Sequence, residues 1–142
     1  MAAGRPVLVA PPSLDAVSAR VVVVGWKETR EARRAVSDAL PFLLTAEHVH
    51  VVAMVREDGE AAAGRVRDVV RHLQRHNVKA EAVVRARGRE SVAEDLAHYA
   101  EQVGADLIVA GGYGHARLTE WVFGGVTRDL LRQCPMCCLL SH

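Results

Sequence analysis

Residues 21–55 read VVVVGWKETREARRAVSDALPFLLTAEHVHVVAMV. The stretch opens on four consecutive valines and closes on a second β-branched run, residues 49–55. Between them Ala32, Ala35, Val36, Ala39, Leu40 and Leu43 recur at i, i+3, i+4 and i+7. That spacing puts one apolar stripe on one face of a helix. The runs on either side are continuous rather than alternating, as expected of strands buried on both faces. The stretch is therefore a strand–helix–strand unit, and its handed crossover makes the two strands parallel neighbours.

The same alternation continues along the chain. Further strand-like runs occupy residues 80–84, 107–110 and 136–140. Helical stripes appear at Val66, Val69, Val70 and Leu73, and at Ala93, Leu96, Ala97 and Ala100. A fourth stripe runs from Leu118 to Leu131 through Trp121, Val122, Val126 and Leu130. Sequential units of this kind predict an α/β domain: a five-stranded, parallel, doubly wound sheet with helices on both faces. Ligands of such folds bind beyond the carboxyl ends of the strands, where the strand order reverses.

The first twenty residues stand outside the scheme. Pro6 and Pro11–Pro12 flank a short apolar run, Val7 to Ala10, and no helix follows it. Proline on both sides suits an edge strand. The expected organisation is an extension with one short strand over residues 1–20 and a single domain over 21–142.

Composition narrows the function. The 142 residues are half hydrophobic and only 4% aromatic, so the core is aliphatic. A net charge of +1 argues against a general nucleic-acid or membrane-surface binder. No apolar run approaches the roughly 20 residues of a membrane span, and the start does not read as a signal peptide. Three cysteines, two adjacent, make no disulfide framework. The cytoplasm is the expected compartment. Charge is nonetheless uneven: residues 65–89 sum to +6 and the remainder to −5. Arg65, Arg71, His72, Arg75 and His76 read as a solvated helix face. Arg85, Arg87 and Arg89, around Gly88, stand where a ligand approaches the third of the parallel strands.

Chemistry concentrates after the fourth parallel strand. Five of the eleven glycines lie between residues 111 and 125. Gly111-Gly112-Tyr113-Gly114 follows the strand directly, and Gly124-Gly125 comes later, before Val126. Glycine lets backbone approach a ligand, and successive N–H groups then form an anion-binding concavity. Two turns that merely need glycine are the alternative. The loop is no Walker A motif, because no Gly-Lys-Ser/Thr follows.

The run Asp106 to Gly114, nine residues, then Gly124-Gly125-Val126, resembles the universal stress protein family and its Gly-x2-Gly-x9-Gly-(Ser/Thr) motif. The resemblance covers about residue 21 to residue 142. It implies a Rossmann-like, adenine-nucleotide α-hydrolase-like sheet, a regulatory or stress-response role in bacteria and no dedicated catalysis. It also implies a homodimer through the last strand, Met136 to Leu140. Carried over by position, the nucleotide-binding residues are Gly25, Lys27, Gly111, Gly112, Gly114, His115, Arg117, Gly124, Gly125 and Val126. Two positions depart from the ATP-binding pattern. Gly125 stands where such members have Ser or Thr, and Lys27 stands at about the place of an Asp that holds adenosine. The expectation is an inherited adenine-nucleotide cleft with weak or absent ATP binding. The alternative is a competent ATP switch with slow hydrolysis.

The motif variants and the Pro-Val-Leu-Val strand resemble the second half of tandem members of that family. On that basis Val7 to Ala10 is expected to pair with Met136 to Leu140 of a partner chain. The remaining constellations read as structural. Cys134 and Cys137 have CxxC spacing but lead into a strand, so they are not a redox motif. No metal site is expected: His72 and His76 share a helix face with arginines. His48 and His50 read as non-catalytic. Ser91 lacks nucleophile-elbow partners. Glu90, Glu94 and Asp95 complement a helix N-terminus. Trp26 and Trp121 are expected in core or interface packing. No catalytic residue is assigned.

Overall fold

The computed structural model describes residues 6–11, 16–55, 60–86, 88, 92–111 and 136–141. The elements in chain order are β1 (Val7–Val9), β2 (Val21–Gly25), α1 (Arg30–Thr45), β3 (His48–Val55) and α2 (Glu60–Arg75). After them come β4 (Ala80–Ala86), α3 (Val92–Gln102), β5 (Leu107–Gly111) and β6 (Cys137–Ser141). The fourth helical stripe, Leu118 to Leu131, lies outside the described residues.

One sheet joins all six strands in the order β1-β6-β5-β2-β3-β4. Strands β2 to β6 are parallel, with Val22 opposite both Val49 and Leu107, and Leu107 opposite Cys137. The five expected parallel strands are present. The sixth is the N-terminal one, which runs antiparallel to β6 with Val7 opposite Leu140 and Val9 opposite Cys138. Within the single chain it lies on that chain's own last strand. The edge expected to carry a dimer is thereby covered in cis. Val7 and Leu8 stay 37% and 40% exposed, as befits an edge strand.

Alternate residues of the central strands feed two cores. Val22, Val24, Val49, Val51, Leu107, Val109 and Leu139 pack with α1 and α2 on one face. Val23, Val52, Ile108 and Met136 pack with Leu96, Tyr99 and Ala100 of α3 on the other. Both faces of the central strands β2, β3 and β5 are largely buried, which is why these read as unbroken apolar runs, whereas β4, at the sheet edge, is buried only at Ala80 and half-buried at Val83. On the first face α1 lies mainly over β5 and β6, while α2 lies over β4 and β3.

Helix ends follow local rules. Thr29 has extended backbone, and its Oγ1 accepts from Ala32 N–H at 3.1 Å, capping α1. Helix α2 closes at Asn77 (φ 65°) and α3 at Gly104 (φ 68°). In both, the next N–H reaches back five residues, Val78 to Leu73 and Ala105 to Ala100, each at 2.8–3.0 Å. Pro41 interrupts the ladder of α1 on its exposed side.

Candidate nucleotide cleft

The parallel strands end together at one edge, at Gly25, Val55, Ala86, Gly111 and Ser141. Strand β2 sits where the order reverses, with β3 on one side and β5 on the other. The two expected site glycines within the described residues, Gly25 and Gly111, therefore lie on adjacent strands at the expected crevice. Gly25 is paired with Ala110, the residue before Gly111.

Packing requires glycine at 111 and leaves little room at 25. A Cβ at Gly25 would come within 2.7 Å of Leu96 Cδ2. A Cβ at Gly111 would meet the backbone of Glu31 and lie 2.5 Å from the amide nitrogen of Ala32. The end of β5 thus abuts the first turn of α1 backbone to backbone. Its neighbour in the sheet is tied down as well: Ser141 Oγ, buried, donates to Asp38 Oδ2 of α1 at 2.6 Å. That bond had no sequence signal, because Ser141 and Asp38 are 103 residues apart.

Lys27 is exposed in the turn after β2, where its carbonyl accepts from Thr29 N–H at 2.7 Å. Trp26, beside it, is buried in the core on the α1–α2 face, as expected. Gly112, Gly114, His115, Arg117, Gly124, Gly125 and Val126 lie outside the described residues, as do Trp121, Arg87, Arg89 and Cys134.

At the opposite edge, Asp106 anchors the start of two strands. Its Oδ1 accepts from Val21 N–H at 2.8 Å, and its Oδ2 accepts from Ser18 Oγ at 2.7 Å and Arg20 N–H at 3.1 Å. Burial pushes this carboxyl up, but the three hydrogen bonds outweigh it and hold the carboxyl below its ordinary value. Burial raises the Cys137 thiol, and the nearby Asp106 charge raises it further. A buried thiol with a raised pKa is a packing residue, not a nucleophile.

Arg85, near the end of β4, is held against α3. Arg85 stacks 5.4 Å from the Tyr99 ring centroid. Gly88 N–H donates to Asp95 at 3.0 Å. Tyr99 is raised by burial, which the Arg85 cation partly opposes. His50 Nδ1 meets both Glu81 Oε1 at 2.8 Å and Tyr99 Oη at 3.1 Å. Both partners share one ring nitrogen, so the group clamps β3, β4 and α3 together rather than relaying a proton. His76 Nδ1 meets the His72 carbonyl at 2.9 Å.

Among the described residues no three His, Cys, Asp or Glu side chains are placed to hold a metal ion. No described helix is long and apolar enough to cross a membrane.

Solved structures share this architecture. A universal stress protein from Archaeoglobus fulgidus matches with TM-score 0.71 and 15% identity over 97% of this chain. This chain covers 50% of that protein, so it spans about half its length. A universal stress protein in complex with cAMP matches with TM-score 0.69 and 19% identity, over 88% of this chain and 98% of that one. An A. fulgidus universal stress protein in complex with dAMP matches with TM-score 0.56 and 18% identity, over 89% and 100%. No curated protein sequence matches the chain. At these identities the likeness speaks for the fold. The universal stress protein family model, however, matches residues 18–142, nearly the whole chain, and the chain belongs to that family.

Proposed function

We propose that this chain is a regulatory stress-response domain whose adenine-nucleotide cleft binds ATP weakly or not at all. The observation that carries the reading is Lys27, exposed in the turn after β2 where nucleotide-binding relatives are expected to have Asp. The structures with bound cAMP and dAMP support an adenine-nucleotide origin for the cleft. The retained Gly111 does not argue for strong binding, because the backbone of α1 requires it whether or not a nucleotide is present.

In this reading Gly111, Gly112, Gly114, His115, Arg117 and Gly124 to Val126 form the phosphate loop, with Gly25 and Lys27 opposite. Gly125 supplies only its N–H. Losing one hydrogen bond to a charged group and one neutral bond weakens binding by roughly 30- to 2,000-fold. Isothermal titration calorimetry with ATP tests the reading. Millimolar or undetectable binding is expected, and low-micromolar affinity overturns it in favour of the competent switch.

The homodimer belongs to the same proposal. Strand β1 holds the edge of β6 that a second copy would use. Residues 10–20 connect β1 to β2, three strand spacings or about 14 Å away. So short a tether gives β1 a millimolar effective concentration at β6. A second copy at micromolar concentration therefore reaches this edge only when β1 leaves. The strand acts as a strap on dimerisation.

A further inference from the structure

Strand β1 covers one end of the sheet. Strand β4 forms the other, with no described strand on its outer side. Edge strands are commonly blunted by proline, by bulges or by charges that repel a second strand. Strand β4 carries no proline, and its pairing with β3 runs without a bulge from Ala80 to Ala86. Backbone orientation fixes what this edge offers. Val49 N–H donates to the Lys79 carbonyl at 2.9 Å. In the parallel register that follows, odd-numbered residues from 79 to 85 turn their polar groups toward β3, and even-numbered residues turn theirs outward. The first outward carbonyl, that of Ala80, accepts from Gln74 Nε2 at 3.0 Å. The N–H and C=O groups of Ala82 and Val84 remain directed at the free edge, and both residues are exposed.

We propose that this edge pairs antiparallel with the same edge of a second copy of the chain, about a twofold axis at Val83. The interface is isologous and joins the two sheets into one. Ala82 of each copy lies opposite Val84 of the other, and each such pair exchanges both of its backbone hydrogen bonds. Only registers that set outward-turned residues against one another can bond in this way. Charge selects among them. Glu81 and Arg85 stand symmetrically on either side of Val83, on the sheet face that carries α3. Pairing about Val83 therefore places Glu81 of each copy opposite Arg85 of the other. The neighbouring registers set Val83 against Glu81 or against Arg85 and forfeit this match.

Opposite charges directly across an antiparallel pair stabilise it, and like charges oppose it. Both side chains can take part: that of Glu81 is 59% exposed, and Arg85 is exposed beside the Tyr99 ring. On the other face of the sheet Val84, an exposed apolar residue, packs on Ala82 of the second copy. One short strand pair buries less than a stable interface does. The pairing therefore forms at millimolar chain concentration and not at micromolar. It uses the edge opposite to β6, so it rests neither on the nucleotide reading nor on the strap formed by β1.

The test is sedimentation of the full chain from micromolar to millimolar concentration, with two charge variants. Glu81→Arg places Arg opposite Arg in a pair of identical chains, and Arg85→Glu places Glu opposite Glu. Wild type should dimerise in the millimolar range. Each variant alone should dimerise about tenfold more weakly, with an unchanged far-ultraviolet circular dichroism spectrum. An equimolar mixture of the two variants restores opposite charges at both positions, so it should dimerise to within about threefold of wild type. In nitrogen-15 spectra the Ala82 and Val84 amide resonances should shift with concentration. A wild type that stays monomeric at millimolar concentration would overturn the proposal. So would variants that dimerise as wild type does, which is the result expected of a dimer through β6, since they leave that edge untouched. A mixture no tighter than the separate variants, or unmoved Ala82 and Val84 resonances, would overturn it as well.

Discussion

Asp106 Oδ1 accepts the backbone N–H of Val21 at 2.8 Å, joining the start of β5's segment to the first residue of β2 across 85 positions of sequence. Ser18 Oγ and Arg20 N–H complete the set on Oδ2. Hydrogen bonds to a charged group contribute roughly 1.5–3 kcal/mol each where buried, less at a half-exposed site. Asp106→Ala is therefore expected to destabilise the fold by about 2 kcal/mol in urea unfolding, and Ser18→Ala by less than half of that. The carboxyl's folded pKa lies below its ordinary 3.8. Its stabilisation is complete above about pH 5 and is lost as pH falls through the folded value. Wild type should lose stability over that acidic range, and Asp106→Asn should lose less. Parallel pH profiles for the two proteins would contradict the clamp.

Gly111 faces a harder constraint than its place in a glycine motif suggests. The amide of Ala32 would lie 2.5 Å from a new Cβ, and the neighbouring atoms are backbone and cannot rotate away. Gly111→Ala is expected to cost roughly 1–3 kcal/mol, toward the upper end, because α1 itself must shift. Gly64 is the control. It lies inside α2 with nothing within 4 Å of its Cβ position. Gly64→Ala should instead stabilise by about 0.5–1 kcal/mol. Urea midpoints that move in the same direction for both variants would refute the packing account of Gly111.

The strap reading of β1 can be trapped chemically. Val9 stands directly opposite Cys138 in the antiparallel pair. Opposed residues have Cα atoms about 4.5–5.5 Å apart, inside the range that a disulfide spans. Oxidised Val9→Cys is expected to run as a cross-linked monomer on a non-reducing gel. Deleting residues 1–11 should uncover β6 and shift the mass in light scattering from monomer to dimer at micromolar concentration. A covalent dimer from Val9→Cys would show that β1 is exchanged between copies. A deletion that stays monomeric would show that β6 is no dimerisation edge.

The centre of the sheet was legible because both its faces are buried there. Val21 to Val24 and Leu107 to Ala110 leave no polar face to mask the strand, and the stripe from Ala32 to Leu43 has only one buried side to choose. Prolines around Val7 to Val9 announced an edge strand but not its neighbour, since Leu8 opposite Leu139 is a contact across nearly the whole chain. Side-chain ties between distant elements were equally silent: Ser141 with Asp38, and Asp106 with Val21. Spacing also cannot separate the two demands on a glycine. Gly111 reads the same whether it serves a ligand or the backbone of Glu31. His72 and His76 could be read only as a solvated face.

Two substitutions should restore what the cleft lacks. Lys27 stands in the turn after β2, so Lys27→Asp changes an exposed side chain without touching Gly25, Leu96 or the cap at Thr29. Gly125→Ser restores the hydroxyl of the motif. A charged hydrogen bond of about 1.5–3 kcal/mol and a neutral one of about 0.5–1.5 kcal/mol correspond together to roughly 30- to 2,000-fold. The double variant is therefore expected to bind ATP at least 30-fold more tightly than wild type in calorimetry. Each single variant should recover part of the gain. A double variant no tighter than wild type would mean that Lys27 and Gly125 are not what keeps ATP out, and the degraded-cleft account would fall.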